Sequence, residues 1–279
     1  MEIKAPAKLN IFLNIGKKGE DGFHRIISLM TRIDLFDRME ITESDTIEVE
    51  GMDNIPKEDN LIYKAAVCLR DYADIDKGCR ITVDKTIPEG AGLGGGSSDA
   101  AAVLKGLSKF WETDLERKEL AGIGKVLGSD VNFFLYDGPC LVRGRGERVE
   151  EIETSRPYEG SIVLIMPDIE ISTRKVYENY PGGNLTEEKE LNKIMENFRE
   201  GNWPDVLRND LQETVFKEFP ILGSLYKRII NWGGYPLLSG SGSSIFALID
   251  NDKTAKSIVK IVEQNFNYKS ARVKPFIGE

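Results

Sequence analysis

The chain has 279 residues, 41% of them hydrophobic, enough to form the core of one large domain or of two ordinary ones. Its 37 Lys and Arg against 46 Asp and Glu give a net charge of −9, a balance that argues against a nucleic-acid partner. Three cysteines without a CxxC pair, a single histidine and no apolar run of membrane-spanning length lead us to expect a cytoplasmic protein with no membrane partner.

The first predicted element is a strand over residues 3–15, in which apolar and polar side chains alternate. Lys8 and Asn10 share its polar face and therefore point to the same side of the sheet. A polar face that only meets water is the other interpretation of this pattern. A turn rich in Gly and Asp leads to Phe23 and His24, and residues 26–43 predict one or two further strands.

A helix and a strand precede the most unusual stretch of the chain. Asn60 is predicted to cap a helix that ends near Tyr72, and residues 80–87 predict a strand. The stretch GAGLGGGSSDAAA follows at residues 90–102, with five glycines before a run of helix formers. Because an ordered glycine loses more conformational freedom than any other residue, this density indicates unusual dihedral angles or a close ligand.

The glycine-rich loop leads into a helix that we predict to begin at Ser97 or Ser98. The unpaired N–H groups and the macrodipole of a helix N-terminus attract anions, so an acidic protein can bind phosphate there. A tight connection with serine caps is the alternative interpretation. The candidate phosphate-binding residues are Pro88, Gly90, Gly92, Leu93, Gly94, Gly95, Gly96, Ser97 and Ser98.

Other phosphate-binding patterns match this loop less well. Gly90, Gly92 and Gly95 satisfy the dinucleotide fingerprint GxGxxG, but the expected acidic residue after a second strand is not found. Asp114, at about the right distance, is predicted to lie between two helices. The P-loop pattern and the protein-kinase catalytic loop are also absent from the sequence.

The remaining elements are predicted from the same signals. A helix beginning near Asp114 ends at Gly128, and Asp130 then either caps a short helix or takes part in chemistry. Two strands flank a glycine turn at 239–242, an amphipathic helix spans residues 253–266, and residues 271–277 predict a final strand. The fold class expected from this order is α+β.

Three stretches resemble the motifs of one kinase family, that of galactokinase, homoserine kinase, mevalonate kinase and phosphomevalonate kinase (GHMP kinases). They are AKLNIFLNI at 7–15, the glycine-rich loop, and SGSGSSIFAL at 239–248. DGFH at 21–24, GSDVNFF at 128–134 and PDIEIST at 167–173 are similar to the branch that acts on cytidine diphosphate methylerythritol. The resemblance covers nearly the full length. It implies a nucleotide-binding domain over 1–153, a substrate-binding domain over 154–279, and an active site in the cleft between them.

The resemblance also implies catalytic roles. Asp130 matches the family's catalytic base, and Lys8 and Asn10 match its catalytic and substrate site. Phosphoryl transfer to a hydroxyl needs a proton acceptor and stabilisation of charge, which a carboxylate and an ammonium group supply. An ammonium group near Asp130 would keep that carboxylate ionised at neutral pH.

Further residues match ligand-binding positions of the family. Phe23, His24 and Tyr177 match the cytidine pocket, with Thr173 in the same substrate site, although Phe23 stands where many members have tyrosine. Asn60 and Lys85 match the adenosine pocket, and the Gly240–Gly242 turn is expected to approach the phosphate loop. The implied cofactors are ATP and Mg²⁺, with Ser98 as a candidate metal contact.

The expected activity is therefore ATP-dependent phosphorylation of the 2-hydroxyl of cytidine diphosphate methylerythritol, in the non-mevalonate route to isoprenoid precursors. Three alternatives remain open at this point. They are a homoserine or mevalonate kinase, a dinucleotide-dependent oxidoreductase, and a nucleotide-binding protein without turnover. The oligomeric state is not predicted.

Overall fold

The structure, a computed structural model, describes residues 1–52, 54–156 and 158–278. The chain divides into two compact units that alternate along the sequence. Unit 1 comprises Met1–Ala7, Leu35–Glu89 and Gly94–Asp137, and unit 2 comprises Lys8–Asp34, Gly90–Leu93 and Gly138–Glu279. Both contain helices and sheet, in agreement with the predicted α+β class. The division of ligand-binding roles at residue 153 stays a prediction.

Unit 1 contains strands in the order β3-β4-β2-β1, with β3 parallel and β2 antiparallel to β4. The strand β1 contributes its residues up to Ala7 and β2 those from Leu35. Alternate residues are buried in β4 and in β2 from Asp37 to Thr42, as the two-residue period of a half-buried strand requires, whereas β1 is buried on both faces from Ala5 onwards. The strands and helices are β1 (Glu2–Lys18), β2 (His24–Thr42), β3 (Ile47–Glu50), α1 (Leu61–Tyr72), β4 (Cys79–Asp84), α2 (Gly95–Phe110), α3 (Arg117–Leu127) and α4 (Val131–Phe134).

Helix capping sets the boundaries of α1 and α3. The Asn60 side-chain oxygen accepts hydrogen bonds from the backbone N–H groups of Ile62 and Tyr63, so the predicted cap of α1 is confirmed. The prediction that α3 begins near Asp114 is wrong by a few residues. Asp114 has a φ of 48°, outside the helical range, and a reciprocal capping box between Glu116 and Glu119 starts the helix instead.

Unit 2 has strands in the order β6-β5-β2-β1-β8 and a four-stranded antiparallel sheet in the order β11-β7-β10-β9. Apolar residues of the second sheet and its helices form one buried cluster. The final strand ends at Val273, earlier than predicted, before Pro275, which has no N–H group to donate. The elements are β5 (Cys140–Gly144), β6 (Arg148–Glu151), β7 (Ser161–Met166), α5 (Thr173–Asn179), α6 (Glu188–Arg199), a 3-10 helix (Trp203–Val206), β8 (Arg208–Asn209), α7 (Gln212–Glu218), α8 (Pro220–Asn231), β9 (Tyr235–Leu238), β10 (Ile245–Ile249), α9 (Asp252–Phe266) and β11 (Lys269–Val273).

Within residues 1–52, 54–156 and 158–278, no helix is both long enough and apolar enough to cross a bilayer.

Candidate functional site

The N-terminus of α2 is the anion-binding candidate in unit 1. Gly94 stands at its N-cap with a φ of 72°, a backbone conformation that glycine adopts without strain. No side chain of the described residues caps this helix, so the serine caps of the alternative interpretation are not formed. Gly96 is exposed, and Gly95 packs so that an added Cβ would lie 3.1 Å from the Ile87 side chain. The first-turn N–H groups lack intrahelical acceptors and suit a phosphate.

The two serines of α2 differ in environment. Ser98 is 1% exposed, and its hydroxyl donates a 2.7 Å hydrogen bond to the Pro6 carbonyl oxygen. Ser97 is only partly buried. The Ser98 hydroxyl therefore anchors α2 to the first strand, and this structural role competes with its predicted contact to a metal ion.

Lys85 lies in a buried ionic cluster that the sequence did not predict. Its ammonium group is 2.5 Å from Asp37 Oδ2 and 2.7 Å from Asp99 Oδ2. Asp37 Oδ1 also accepts hydrogen bonds from the backbone N–H groups of Thr86 and Ile87. The sequence gives no signal that singles out Asp37, because Asp34, Arg38 and Glu40 are charged residues of the same strand.

The protonation of this cluster follows from its burial. Burial raises the pKa of Asp99 from 3.8 to about 7, against the opposing effect of the Lys85 ammonium, and the neighbouring Asp37 raises it further. Burial alone would lower the pKa of Lys85, but the two carboxylates more than compensate and raise it. Two carboxylates thus share one ammonium, and the raised pKa of Asp99 lets this carboxyl bind a proton near neutral pH.

Two further predicted residues of unit 1 are also positioned by helix ends. Asn60 is 5% exposed and uses its side-chain oxygen to cap α1, which leaves its amide N–H groups for a ligand contact. Asp130 is the N-cap residue of α4 but makes no side-chain hydrogen bond to that helix. The capping role that was the alternative for Asp130 is therefore not observed. Pro88 is partly buried at the end of the segment that follows β4.

In unit 2, the polar face of β1 is buried. Lys8 and Asn10 are 4% and 5% exposed, and the Lys8 ammonium donates to Asn10 Oδ1. Asn10 Nδ2 donates to Ser28 Oγ at 2.9 Å, and Ser28 donates onward to the Phe12 carbonyl oxygen at 2.8 Å. The interpretation of a strand face that only meets water is therefore wrong. A buried ammonium held by an oriented amide is suited to interact with a developing negative charge.

The glycine turn after β9 packs against this amine. Gly240 has a φ of 57°, and an added Cβ would lie 3.0 Å from Lys8 Nζ and 3.4 Å from Asn10 Oδ1. Gly92 approaches the turn even more closely, since an added Cβ would lie 2.0 Å from the Ser239 carbonyl oxygen. The Ser239 hydroxyl donates to the Gly92 carbonyl oxygen at 3.0 Å. Glycine is required at both positions by close approach and by a positive φ.

The other predicted residues of this region lie beside the same turn. Leu93 is 1% exposed, and its carbonyl oxygen accepts a 3.0 Å hydrogen bond from the Lys8 backbone N–H group. The hydroxyl oxygens of Thr173 and Ser241 are 2.7 Å apart, so Thr173 lies at the turn. Gly90 is exposed and has a φ of 64°. The Gly90–Leu93 segment and the Ser239–Gly242 turn thus meet, as the resemblance implies.

An aromatic cluster surrounds His24. Its ring centre lies 6.0 Å from that of Tyr177 and 5.8 Å from that of Tyr180, which the sequence analysis missed. His24 Nδ1 lies 2.8 Å from the Gly16 carbonyl oxygen. Phe23 is 56% exposed, and its ring faces the Arg145 guanidinium at 4.7 Å. The structure therefore pairs His24 with two tyrosines and places Phe23 at the surface.

Comparison with known proteins supports a family assignment. Residues 60–138 match the description "GHMP kinases N terminal domain", and residues 186–268 match "GHMP kinases C terminal". A 4-diphosphocytidyl-2-C-methyl-D-erythritol kinase of Thermodesulfovibrio yellowstonii is 41% identical over 268 residues, 93% of each chain. One of Bacillus cereus (strain B4264) is 39% identical over 258 residues, covering 90% of this chain and 88% of the relative.

Solved structures agree with these matches. A crystal structure of 4-(cytidine 5'-diphospho)-2C-methyl-D-erythritol kinase superposes with a TM-score of 0.81 at 30% identity, covering 98% of this chain and 99% of the other. A homoserine kinase from Cytophaga hutchinsonii, at 20% identity and a TM-score of 0.76 over 99% of this chain and 95% of the other, shares the fold. With both domain descriptions matched and close relatives over almost its whole length, the chain belongs to the GHMP kinase family.

Proposed function

We propose that the protein transfers the γ-phosphoryl group of ATP to the 2-hydroxyl of 4-diphosphocytidyl-2-C-methyl-D-erythritol, in the non-mevalonate route to isoprenoid precursors. The observation that carries this proposal is the 41% identity, over 93% of both chains, to a kinase named for that alcohol. A homoserine kinase and a mevalonate kinase share the fold at only 20% and 18% identity, and such distant similarity does not indicate that this chain acts on their substrates. The reaction is a displacement in which the alcohol oxygen bonds to phosphorus, ADP leaves, and the hydroxyl proton is accepted by the protein.

In this proposal the N-terminus of α2 binds the ATP phosphates. Its first-turn N–H groups and its dipole favour negative charge, and the absence of a capping side chain among the described residues leaves them available. Asn60 and Lys85 contact the adenosine portion. Lys85 can do so only at the edge of its ionic cluster, because its ammonium is already held by two carboxylates.

Asp130 and Lys8 carry the chemical step in this proposal. The Asp130 carboxylate accepts the proton of the 2-hydroxyl, a role supported by the lack of any capping hydrogen bond from its side chain. The Lys8 ammonium stabilises the alkoxide as it develops, and Asn10 fixes the direction in which that ammonium points. General base action contributes about 10² to 10⁴ in rate, so binding and charge stabilisation supply most of the acceleration.

The residues present fit a Mg²⁺ ion that is held mainly by ATP and water. No group of three or more His, Cys, Asp or Glu side chains that suits a metal ion is found among residues 1–52, 54–156 and 158–278. Mg²⁺ keeps several waters and is usually bound by one or two carboxylates besides substrate phosphates, and in P-loop enzymes a Ser or Thr hydroxyl of the phosphate loop is also a ligand. Ser97 is the first candidate and Ser98 the second, because the Ser98 hydroxyl already donates a hydrogen bond to the Pro6 carbonyl oxygen. When bound, the ion would neutralise charge on the phosphates.

Cytosine recognition is proposed to rest on His24. A carbonyl oxygen only accepts hydrogen bonds, so the contact with Gly16 requires the proton on Nδ1, and Nε2 of the neutral ring is then an acceptor. The exocyclic amine of cytosine is a donor at the position where uracil has a carbonyl oxygen. An accepting Nε2 therefore favours cytosine. Tyr177 provides the neighbouring aromatic surface, and Phe23 and Thr173 extend the substrate contacts.

The test compares substrates at saturating ATP, with ADP release as the readout. We expect kcat/KM for the cytidyl alcohol to exceed that for its uridyl analogue by about 10² or more, because mismatched buried polar groups are costly. Methylerythritol phosphate without the nucleotide should be a poor substrate. Equal kcat/KM for the cytidyl and uridyl compounds would contradict the base-recognition proposal. Faster turnover of homoserine or mevalonate would instead indicate a homoserine kinase or a mevalonate kinase.

A substitution tests the assignment of the base. Asp130→Asn should keep the fold and ATP binding while lowering kcat by about 10² or more, because only the proton acceptor is removed. Asp114→Asn is the matched control, since Asp114 has a φ of 48° that asparagine also tolerates. Near-normal turnover by folded Asp130→Asn would exclude it as the base.

The remaining assignments follow from this function. We propose that residues 1–153 provide most nucleotide contacts, that residues 154–279 contribute to alcohol binding, and that the enzyme acts in the cytoplasm, where ATP is available. Visualising a tagged protein in cells would test the last point.

A further inference from the structure

The Asn209 side chain uses both of its amide N–H donors and accepts one hydrogen bond at its carbonyl oxygen. It is 8% exposed, and its Nδ2 donates to the carbonyl oxygens of Leu238 at 2.8 Å and Gly240 at 2.7 Å. Its Oδ1 accepts a 2.9 Å hydrogen bond from the Leu211 backbone N–H group. One amide hydrogen is thus used on the last carbonyl of β9 and the other on the Gly240 carbonyl of the glycine turn, which fixes the position of that turn relative to β8.

The turn that Asn209 holds is the one that contacts Lys8. Gly240 is so near that an added Cβ would lie 3.0 Å from Lys8 Nζ and 3.4 Å from Asn10 Oδ1. A displacement of the Gly240 carbonyl would therefore change the space in which the Lys8 ammonium lies. Without Asn209, two carbonyl oxygens would lose their donor in a buried setting.

The next residue, Asp210, holds the other side of the substrate region. Its Oδ2 accepts hydrogen bonds of 2.8 Å from Asn14 Nδ2 and from the Ile15 backbone N–H group. The Tyr180 hydroxyl lies 3.5 Å from the same oxygen and 3.4 Å from the Ile15 carbonyl oxygen, and the Tyr180 ring meets His24 edge-on. Burial raises the pKa of Tyr180, and the charge of Asp210 adds to that effect, so the hydroxyl stays a neutral donor.

We infer that Asn209 and Asp210 are positioning residues for the proposed reaction, Asn209 through Gly240 for the Lys8 amine and Asp210 through Tyr180 for the His24 ring. The inference rests on the proposed function for its kinetic consequences, but its structural content stands on these contacts alone. Two adjacent side chains, Asn209 on the short strand β8 and Asp210 directly after it, would thus connect to both ends of the substrate, the hydroxyl that reacts and the base that is recognised.

The first experiment uses Asn209→Asp, which keeps the shape but places a carboxylate opposite two carbonyl oxygens. At about pH 8 we expect kcat to fall by about 10- to 100-fold with little change in KM, because the amine is displaced rather than lost. Burial opposite two carbonyls would raise the pKa of the new carboxyl, and its protonated form can again donate one hydrogen bond. The ratio of variant to parent kcat, each referred to the fraction of protein that circular dichroism shows to be folded at that pH, should therefore rise as the pH is lowered towards 6.

The second variant separates the role of Asp210 from that of Asn209. Asp210→Asn should raise KM for the cytidyl alcohol by about tenfold and leave kcat within about threefold, because the loss affects binding of the base and not the reacting hydroxyl. Val215→Ala is the control for general damage to unit 2, since Val215 is fully buried in the apolar core of that unit and lies outside the Ser239–Gly242 turn. It should lower Tm while leaving both kinetic constants nearly unchanged.

Hydrogen exchange of the segment 239–244 gives a readout that needs no substrate. Asn209→Asp should speed exchange there by about tenfold more than Val215→Ala does, because the turn loses its fixed support. Unchanged exchange, or a pH-independent kcat ratio, would overturn the inference while parent activity still supports the proposed function. If the parent protein does not phosphorylate the cytidyl alcohol, the proposed function fails, and the exchange result alone decides whether Asn209 positions the turn.

Discussion

The buried cluster of Lys85, Asp37 and Asp99 allows a quantitative prediction for Lys85→Met. The side chains of the two aspartates are 0% and 1% exposed, whereas that of Lys85 is 18% exposed. Replacing the ammonium leaves two buried carboxylates without a counter-charge, and breaking a buried pair in this way costs about 3–5 kcal/mol. We expect the free energy of unfolding to fall by about that amount near pH 8.

The loss should depend on pH in a defined direction. The pKa of Asp99 is raised from 3.8 to about 7 in the folded protein, so the folded state binds a proton more strongly than the unfolded chain. Stability from this group is therefore greatest below the unfolded pKa and falls as the pH rises from 3.8 to about 7. Without the Lys85 ammonium we expect the pKa of Asp99 to rise further, and each pKa unit corresponds to about 1.4 kcal/mol of unfolding free energy. Lys85→Met should therefore be less harmful to stability near pH 5 than near pH 8.

Urea unfolding followed by tryptophan fluorescence and circular dichroism measures this difference at both pH values. Lys105→Met is the matched control, because the Lys105 and Asp137 side chains are 39% and 40% exposed, and such pairs contribute at most about 1 kcal/mol. Adding Asp99→Leu to Lys85→Met should recover part of the lost stability, since a buried charge is removed. If Lys85→Met costs no more than the control, or the same at both pH values, the cluster does not act as described.

Further substitutions test glycine, hydroxyl and capping roles. Gly92→Ala should destabilise the protein by about 3 kcal/mol or more in a thermal unfolding assay. Gly122 in α3 has open space around it, so Gly122→Ala should stabilise by about 0.5–1 kcal/mol. Similar effects of the two substitutions would contradict the close approach at Gly92. Ser98→Ala should lower Tm, because it removes the hydrogen bond from the Ser98 hydroxyl to the Pro6 carbonyl oxygen. Ser97→Ala should weaken Mg²⁺-dependent turnover with little effect on Tm. The reverse pattern would indicate that Ser98 is the metal contact. Asn60→Ala should cost about 0.5–2 kcal/mol of unfolding free energy and Asn60→Asp much less, unless the cap is unimportant.

Much of the secondary structure follows from the sequence, because helix capping and hydrophobic periodicity depend on residues that are neighbours in the chain. The cap at Asn60 and the amphipathic pattern of α9 each predicted a helix that the structure contains. The start of α3 was misplaced because the N-cap of its capping box is Glu116, in place of the usual Ser or Thr, while Glu119 is the ordinary residue at N3.

The family and its likeness to known kinases were also readable from the sequence, because the glycine-rich loop and the motifs near each end are contiguous. What each motif residue contacts was not readable, since those contacts join residues far apart in the chain. The pairing of Lys85 with Asp37 spans 48 positions, and that of Asn209 with Gly240 spans 31. Burial decides the chemistry of such groups, because a carboxylate or ammonium removed from water must find a partner or change its pKa. The sequence determined which residue types were available, and the tertiary structure alone decided which of them met.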